Sequence, residues 1–142
     1  MRPLVFQRYS ITPIAAFTLA LLLIIPVQAA VRVSEILPFY VTPTVMCIFS
    51  LWVYRTLAYD KKRAQTDQWR VQESTLHFLE LLGGWPGSFV AQRRFRHKIS
   101  KSSYQVTFWI IVIGYQLVAF DYLNNWKYSE QISSHISKIK NG

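Results

Sequence analysis

Residues Glu73–Lys101 read ESTLHFLELLGGWPGSFVAQRRFRHKISK, and the fold turns on how this stretch meets a membrane. Its uncharged centre, Leu81–Ala91, falls far short of the about 20 apolar residues that a spanning helix needs. Widening it to Leu76–Gln92 brings in His77 and Glu80, which are costly at membrane depth unless paired or hydrated. Gly83, Gly84, Pro86 and Gly87 crowd the middle. Proline has no N–H to donate and glycine weakens a helix. The stretch therefore predicts two short helices, Ser74–Leu82 and Ser88–Lys98, joined by a tight turn of Gly83, Gly84, Pro86 and Gly87.

Both flanks of the stretch are basic. Arg55, Lys61, Lys62, Arg63 and Arg70 precede its apolar part, and Arg93, Arg94, Arg96, Lys98 and Lys101 follow. Short basic loops stay in the cytoplasm. With both flanks on that side, the stretch dips in and returns, or lies along the surface, as a re-entrant or interfacial hairpin. A kinked fourth spanning helix would strand five cations on the wrong side.

The rest of the 142 residues supplies the helices that hold this piece. The chain is 51% hydrophobic, 15% aromatic and only 16% charged, which suits a small integral membrane protein. Ile11–Val31 is uncharged and long enough to span. A cleaved signal peptide is the rival reading of that run, but a second long apolar run follows at once, as in a helical hairpin. Ile36–Tyr54 is that second run, with Pro43 either kinking it or marking its true start. Asp60-Lys61-Lys62-Arg63 opens the first solvated segment. Tyr104–Phe120 makes a third, shorter spanning helix, anchored by Lys101, Tyr122 and Trp126. The expected fold is all-α: three transmembrane helices plus a cytoplasm-side hairpin. Residues 1–10 are then a cytoplasmic N-terminus, 11–123 one helical membrane domain, and 124–142 a polar, mobile tail outside. The location that fits is a bacterial inner membrane.

Net charge is +9, but ten of the sixteen Lys and Arg lie between Arg55 and Lys101. A cytoplasmic loop accounts for them without nucleic acid, and the same patch attracts anionic lipid headgroups. Cys47 is the single cysteine, so the chain has no internal disulfide.

Several motifs in order carry a resemblance. Tyr59-Asp60-Lys61, Trp69-Arg70-x-x-Glu73, Leu81-Leu82-Gly83-Gly84, Gly87 and Arg96-His97-Lys98 resemble a bacterial domain-of-unknown-function family of small membrane proteins, often fused behind a cold-shock domain. The resemblance covers about residues 51–120. Gln72 stands where that family has proline, and Ile99 where threonine is usual. No cold-shock segment is recognisable in these residues, so the resemblance does not point to RNA. It implies no activity.

Candidate chemistry is sparse. Glu73, His77 and Glu80 recur at i, i+4 and i+7 and share one helix face. A metal or acid–base site could be built there, but three ligands on one helix without a second cluster favour a polar stripe turned to water or to the basic loop. On that reading Phe78, Leu79 and Leu82 face lipid. His97 lies between Arg96 and Lys98, whose charges disfavour its protonated form, and reads as structural. The glycines follow no strand and no Lys-Ser or Lys-Thr pair follows them, so they serve the turn rather than a phosphate loop. No catalytic residue, metal site or cofactor is assigned.

Membrane-depth charges need partners. Asp60, Lys61, Arg70, Glu73, Arg96, His97 and Lys98 are therefore expected to form an ion network or lipid-headgroup site at the hairpin's mouth. The function this predicts is that of a non-enzymatic accessory protein contacting anionic lipid or a membrane-protein partner. The rivals are a lipid-modifying or lipid-transporting activity at the hairpin and, less favoured, a membrane tether for nucleic acid.

Overall fold

A computed structural model of the chain describes residues 8–69 and 71–141. The expected N-terminal segment falls largely on residues 1–7, outside the described residues.

Every described element is helical. Helix α1 spans Pro13–Val33, α2 Val41–Gln65, α3 Glu73–Leu79, α4 Trp85–Phe95, α5 Ser102–Leu123 and α6 Lys127–Asn141, with a wide π-type turn at Glu80–Gly84 between α3 and α4. Three of them, α1, α2 and α5, are long and apolar enough to cross a membrane. Their outer faces carry exposed Ile14, Phe17, Leu21, Leu51, Ile110 and Leu117. A continuous apolar exterior of that kind demands an apolar surrounding.

Thr12 starts α1. Its hydroxyl accepts the Ala15 N–H at 3.3 Å, and Pro13 occupies the first turn, where no N–H is needed. Pro26 lies inside the same helix. It cannot donate to the Leu22 carbonyl four residues back. The Gln116 side chain on α5 donates there instead, at 2.7 Å. Higher up, Arg32 donates to the Leu123 carbonyl at 2.6 Å. These two bonds show that α1 and α5 lie side by side and run in the same direction; the start of α2, at Val41 and Val45, faces their ends at Val33 and Tyr122, so α2 runs antiparallel to them.

Helix α2 begins where the second of the two readings of Pro43 put it, and it runs further than the expected second span. Residues 36–40 are not helical, and Pro43 sits in the first turn, where it needs no N–H and makes no kink. The helix continues through Asp60-Lys61-Lys62-Arg63, which is not a solvated loop. Lys62 and Arg63 suit its C-terminal dipole, and Asp60 is fully buried against the hairpin.

The hairpin packs chiefly on α2. Its arms begin and end beside Asp60, while its tip at Gly83 approaches Met46 and Tyr115. Asp60 and Met46 are roughly four helical turns apart, so the arms run about 20 Å along α2. The turn is narrower than its glycines and proline suggest. Gly83 alone has a positive φ, 110°. Pro86 and Gly87 belong to the first turn of α4, not to the connection. No side chain caps α3, whose N-cap is Gln72. Val53, Leu57, Leu76, Trp85, Phe89 and Phe108 form the core where these arms meet α2 and α5.

The expected polar C-terminal tail is helical over most of its length. It is helix α6, with Ile132, Ile136 and Ile139 along one side and no buried residue.

Candidate functional site

The mouth of the hairpin is built from the last turns of α2, the start of α3 and the segment after α4. Arg96 ends α4 in a left-handed conformation, φ 45°, and Lys98 adopts another, φ 62°. Each such non-glycine residue is costly and persists only where its surroundings hold it. Here the surroundings are ionic. His97 Nε2 lies 2.6 Å from Asp60 Oδ2, and Lys98 Nζ lies 3.5 Å from the same oxygen. The Val71 N–H donates to Asp60 Oδ1 at 3.1 Å. Lys98 also reaches Glu73 Oε1 at 2.8 Å, where Lys101 joins it at 2.6 Å. Lys98 thus bridges the two carboxylates. Hydrogen bonds from Lys101 and then Lys98 hold the Glu73 carboxyl at about 2, below its ordinary 4.5, against the opposing effect of burial.

Of the residues expected here, the structure brings together Asp60, Glu73, His97 and Lys98. Lys101 belongs with them although it lay outside the expected set. Lys61 and Arg96 turn elsewhere. Lys61 donates to the Phe95 carbonyl, and the Arg96 guanidinium lies 4.2 Å over the Tyr9 ring. Tyr9 in turn donates its N–H to the Arg94 carbonyl at 2.8 Å, clamping the chain entering α1 onto the end of α4. Arg70 lies outside the described residues.

A second polar system runs through the interior and takes Glu80 and His77 out of the expected stripe, while Glu73 meets the basic Lys98 and Lys101. Glu80 is fully buried. Its Oε1 accepts the Ser88 hydroxyl and, at 2.5 Å, the Tyr104 hydroxyl; its Oε2 lies 2.7 Å from His77 Nδ1. Gln92 donates to Ser88 Oγ at 3.0 Å, and Gln105 donates to Gln92 Oε1 at 2.6 Å and to the Lys98 carbonyl at 3.0 Å. The chain of bonds joins α3, α4 and α5 and ends on the residue that bridges the ion network. Leu79, expected to face lipid, is buried, while Phe78 and Leu82 are exposed. The clue in the sequence was Ser88 and Gln92, two polar residues four apart in an apolar helix. Nothing local tied Tyr104 or Gln105 to them. Among the described residues no group of three His, Cys, Asp and Glu side chains is placed to hold a metal ion.

The outer side of the mouth carries a groove of about 520 Å³. Leu51, Arg55, Ala58 and Lys62 recur on one face of α2, and Arg8, Tyr54, Tyr59 and Phe95 complete the lining. Three of these residues are cations and none is an acid.

Residues 50–104 match the family model described as Protein of unknown function (DUF1294). The matched segment runs from the middle of α2 through the hairpin to the first turn of α5. It contains both polar systems apart from Gln105, and leaves α1, most of α5 and α6 outside. The comparison with curated proteins and the comparison with solved structures each returned no match.

Proposed function

We propose that this is a non-enzymatic inner-membrane accessory protein that holds the headgroup of an anionic phospholipid. The supporting observation is the groove of Arg8, Arg55 and Lys62 floored by Leu51, Tyr54 and Phe95. Cations with aromatic and aliphatic side chains beside them suit a phosphate attached to acyl chains. On this reading the basic mouth lies at the cytoplasmic surface, the N-terminus is cytoplasmic, and the hairpin re-enters the bilayer from that side. The ion network and the Glu80 system then satisfy the polar groups that re-entry buries.

The test is thermal stability of the detergent-purified protein with added phosphatidylglycerol or phosphatidylcholine. Phosphatidylglycerol is expected to raise the melting midpoint and phosphatidylcholine not. The R55A/K62A double variant should lose that difference while the charge-conserving R55K/K62R keeps it. Equal responses to the two lipids, or an undiminished difference in R55A/K62A, would overturn the reading.

A second reading, lipid modification at the hairpin, draws on His77 Nδ1 paired with the buried Glu80, an arrangement that can orient a general base. Mass spectra of lipid incubated with the protein would favour it if a product formed that H77Q did not make.

A further inference from the structure

Helix α6 is aimed by its surroundings rather than left to solvent. Asn125 and Trp126 are both left-handed, φ 56° and 60°, and together turn the chain sharply after α5. Asp121, nearly buried, fixes the exit. Its Oδ1 accepts the Tyr128 N–H at 3.0 Å, and its Oδ2 accepts the Ser129 N–H at 3.3 Å and the Ser129 hydroxyl. A carboxylate there satisfies orphan donors of the first turn of α6. Arg32 ties the same turn to α1 through the Leu123 carbonyl and the Asn125 side chain. Tyr128 then stacks on Phe120, with ring centroids 5.8 Å apart.

This exit angle gives α6 a direction. Ile132 turns back towards Leu117, Val118 and Phe120 of α5 across an open wedge of about 420 Å³. Leu117 and Phe120 belong to the apolar exterior of a helix long enough to span a membrane. The medium that covers that exterior also fills the wedge and meets the stripe of Ile132, Ile136 and Ile139, which are 61%, 60% and 82% exposed. The opposite side of α6 carries Ser133, Ser134, Ser137 and Lys138, and the helix holds three lysines against one glutamate. An isoleucine stripe, a polar back and a basic balance are what an interfacial helix requires. Tyr122, Trp126 and Tyr128 at the junction suit headgroup level.

We infer that α6 is an interfacial helix that lies on the bilayer surface where α1 and α5 end, with its isoleucine stripe in the acyl-chain layer. Its partner is the lipid surface, not a second copy of the chain. This site lies at the end of the molecule opposite the basic groove and does not depend on that groove binding lipid.

The experiment is site-directed spin labelling of the full chain in phosphatidylethanolamine–phosphatidylglycerol vesicles. C47S removes the single native cysteine. Single cysteines then replace Ile132, Ile136, Ser133 and Ser137, all exposed, so the fold tolerates the label. Labels at 132 and 136 are expected to collide more with dissolved oxygen than with a water-soluble nickel chelate, and those at 133 and 137 the reverse. Equal chelate access at all four sites would overturn the inference by placing α6 in water. Screening of 132 and 136 from both reagents would overturn it by showing protein packed on the stripe.

Discussion

Glu73 and Glu80 lie seven residues apart on the first arm of the hairpin and meet opposite surroundings. Glu73 sits at the mouth between two lysines, with part of its side chain in water. Glu80 is sealed inside, held by two hydroxyl donors and a histidine. A buried carboxylate that loses one such partner costs more than the bond itself, because the remaining atoms stay desolvated. At Glu73 the consequence is a pH dependence whose sign follows from its lowered value. With a folded value of about 2 against an ordinary 4.5, the carboxylate stabilises the fold fully above pH 4.5. That contribution fades as pH falls through the window down to 2. The melting midpoint of the wild type should exceed that of E73Q at pH 7, with the gap shrinking as pH approaches 3. A gap that stays constant across this range would mean that the Lys98 and Lys101 contacts do not hold Glu73.

At the scale of elements, the packing of α4 on α2 rests on two glycines. A Cβ on Gly84 would stand 2.7 Å from a Val53 methyl carbon and 2.8 Å from the Phe49 carbonyl oxygen. One on Gly87 would overlap the Ser50 backbone outright. The backbones of the hairpin and α2 touch here, as small residues permit between helices in membranes. Gly114 in α5 has open space where its Cβ would go. G87A should therefore lower stability by about 1–3 kcal/mol through overpacking, whereas G114A should be neutral or gain up to about 1 kcal/mol from helix propensity. Thermal unfolding of both variants in the same detergent decides this; equal shifts would refute the close approach.

For the whole molecule, the decisive question is where the two ends of the hairpin lie. Both meet the C-terminal turns of α2, and the Arg32 end of α1 lies with the end of α5 and the start of α6. In a C47S background, cysteines at Lys62 and Ser100 should react with an impermeant maleimide from one face of the membrane. Cysteines at Glu35 and Ser133 should react from the other. Opposite labelling of the Lys62 and Ser100 positions would show a hairpin that crosses.

The all-helical class, the three long apolar helices and the broken stretch between them were legible from residue order alone. Charge-free length and the clustering of glycine beside proline are local properties, and a helix of that length forms wherever apolar surroundings forbid unsatisfied backbone. Helix ends were less legible: α2 runs on through Asp60, whose partners His97, Lys98 and Val71 arrive from elsewhere in the chain. The ion network at the mouth was open to argument from charge, since charges near a membrane need partners, yet which lysine would bridge the carboxylates was settled by the left-handed backbone at Lys98. The Glu80 system and the Gln116 bond to Leu22 belong to tertiary structure entirely. Their members lie on different helices, and a polar residue on an apolar helix does not reveal, by its own neighbours, which distant donor or acceptor will meet it once the helices pack.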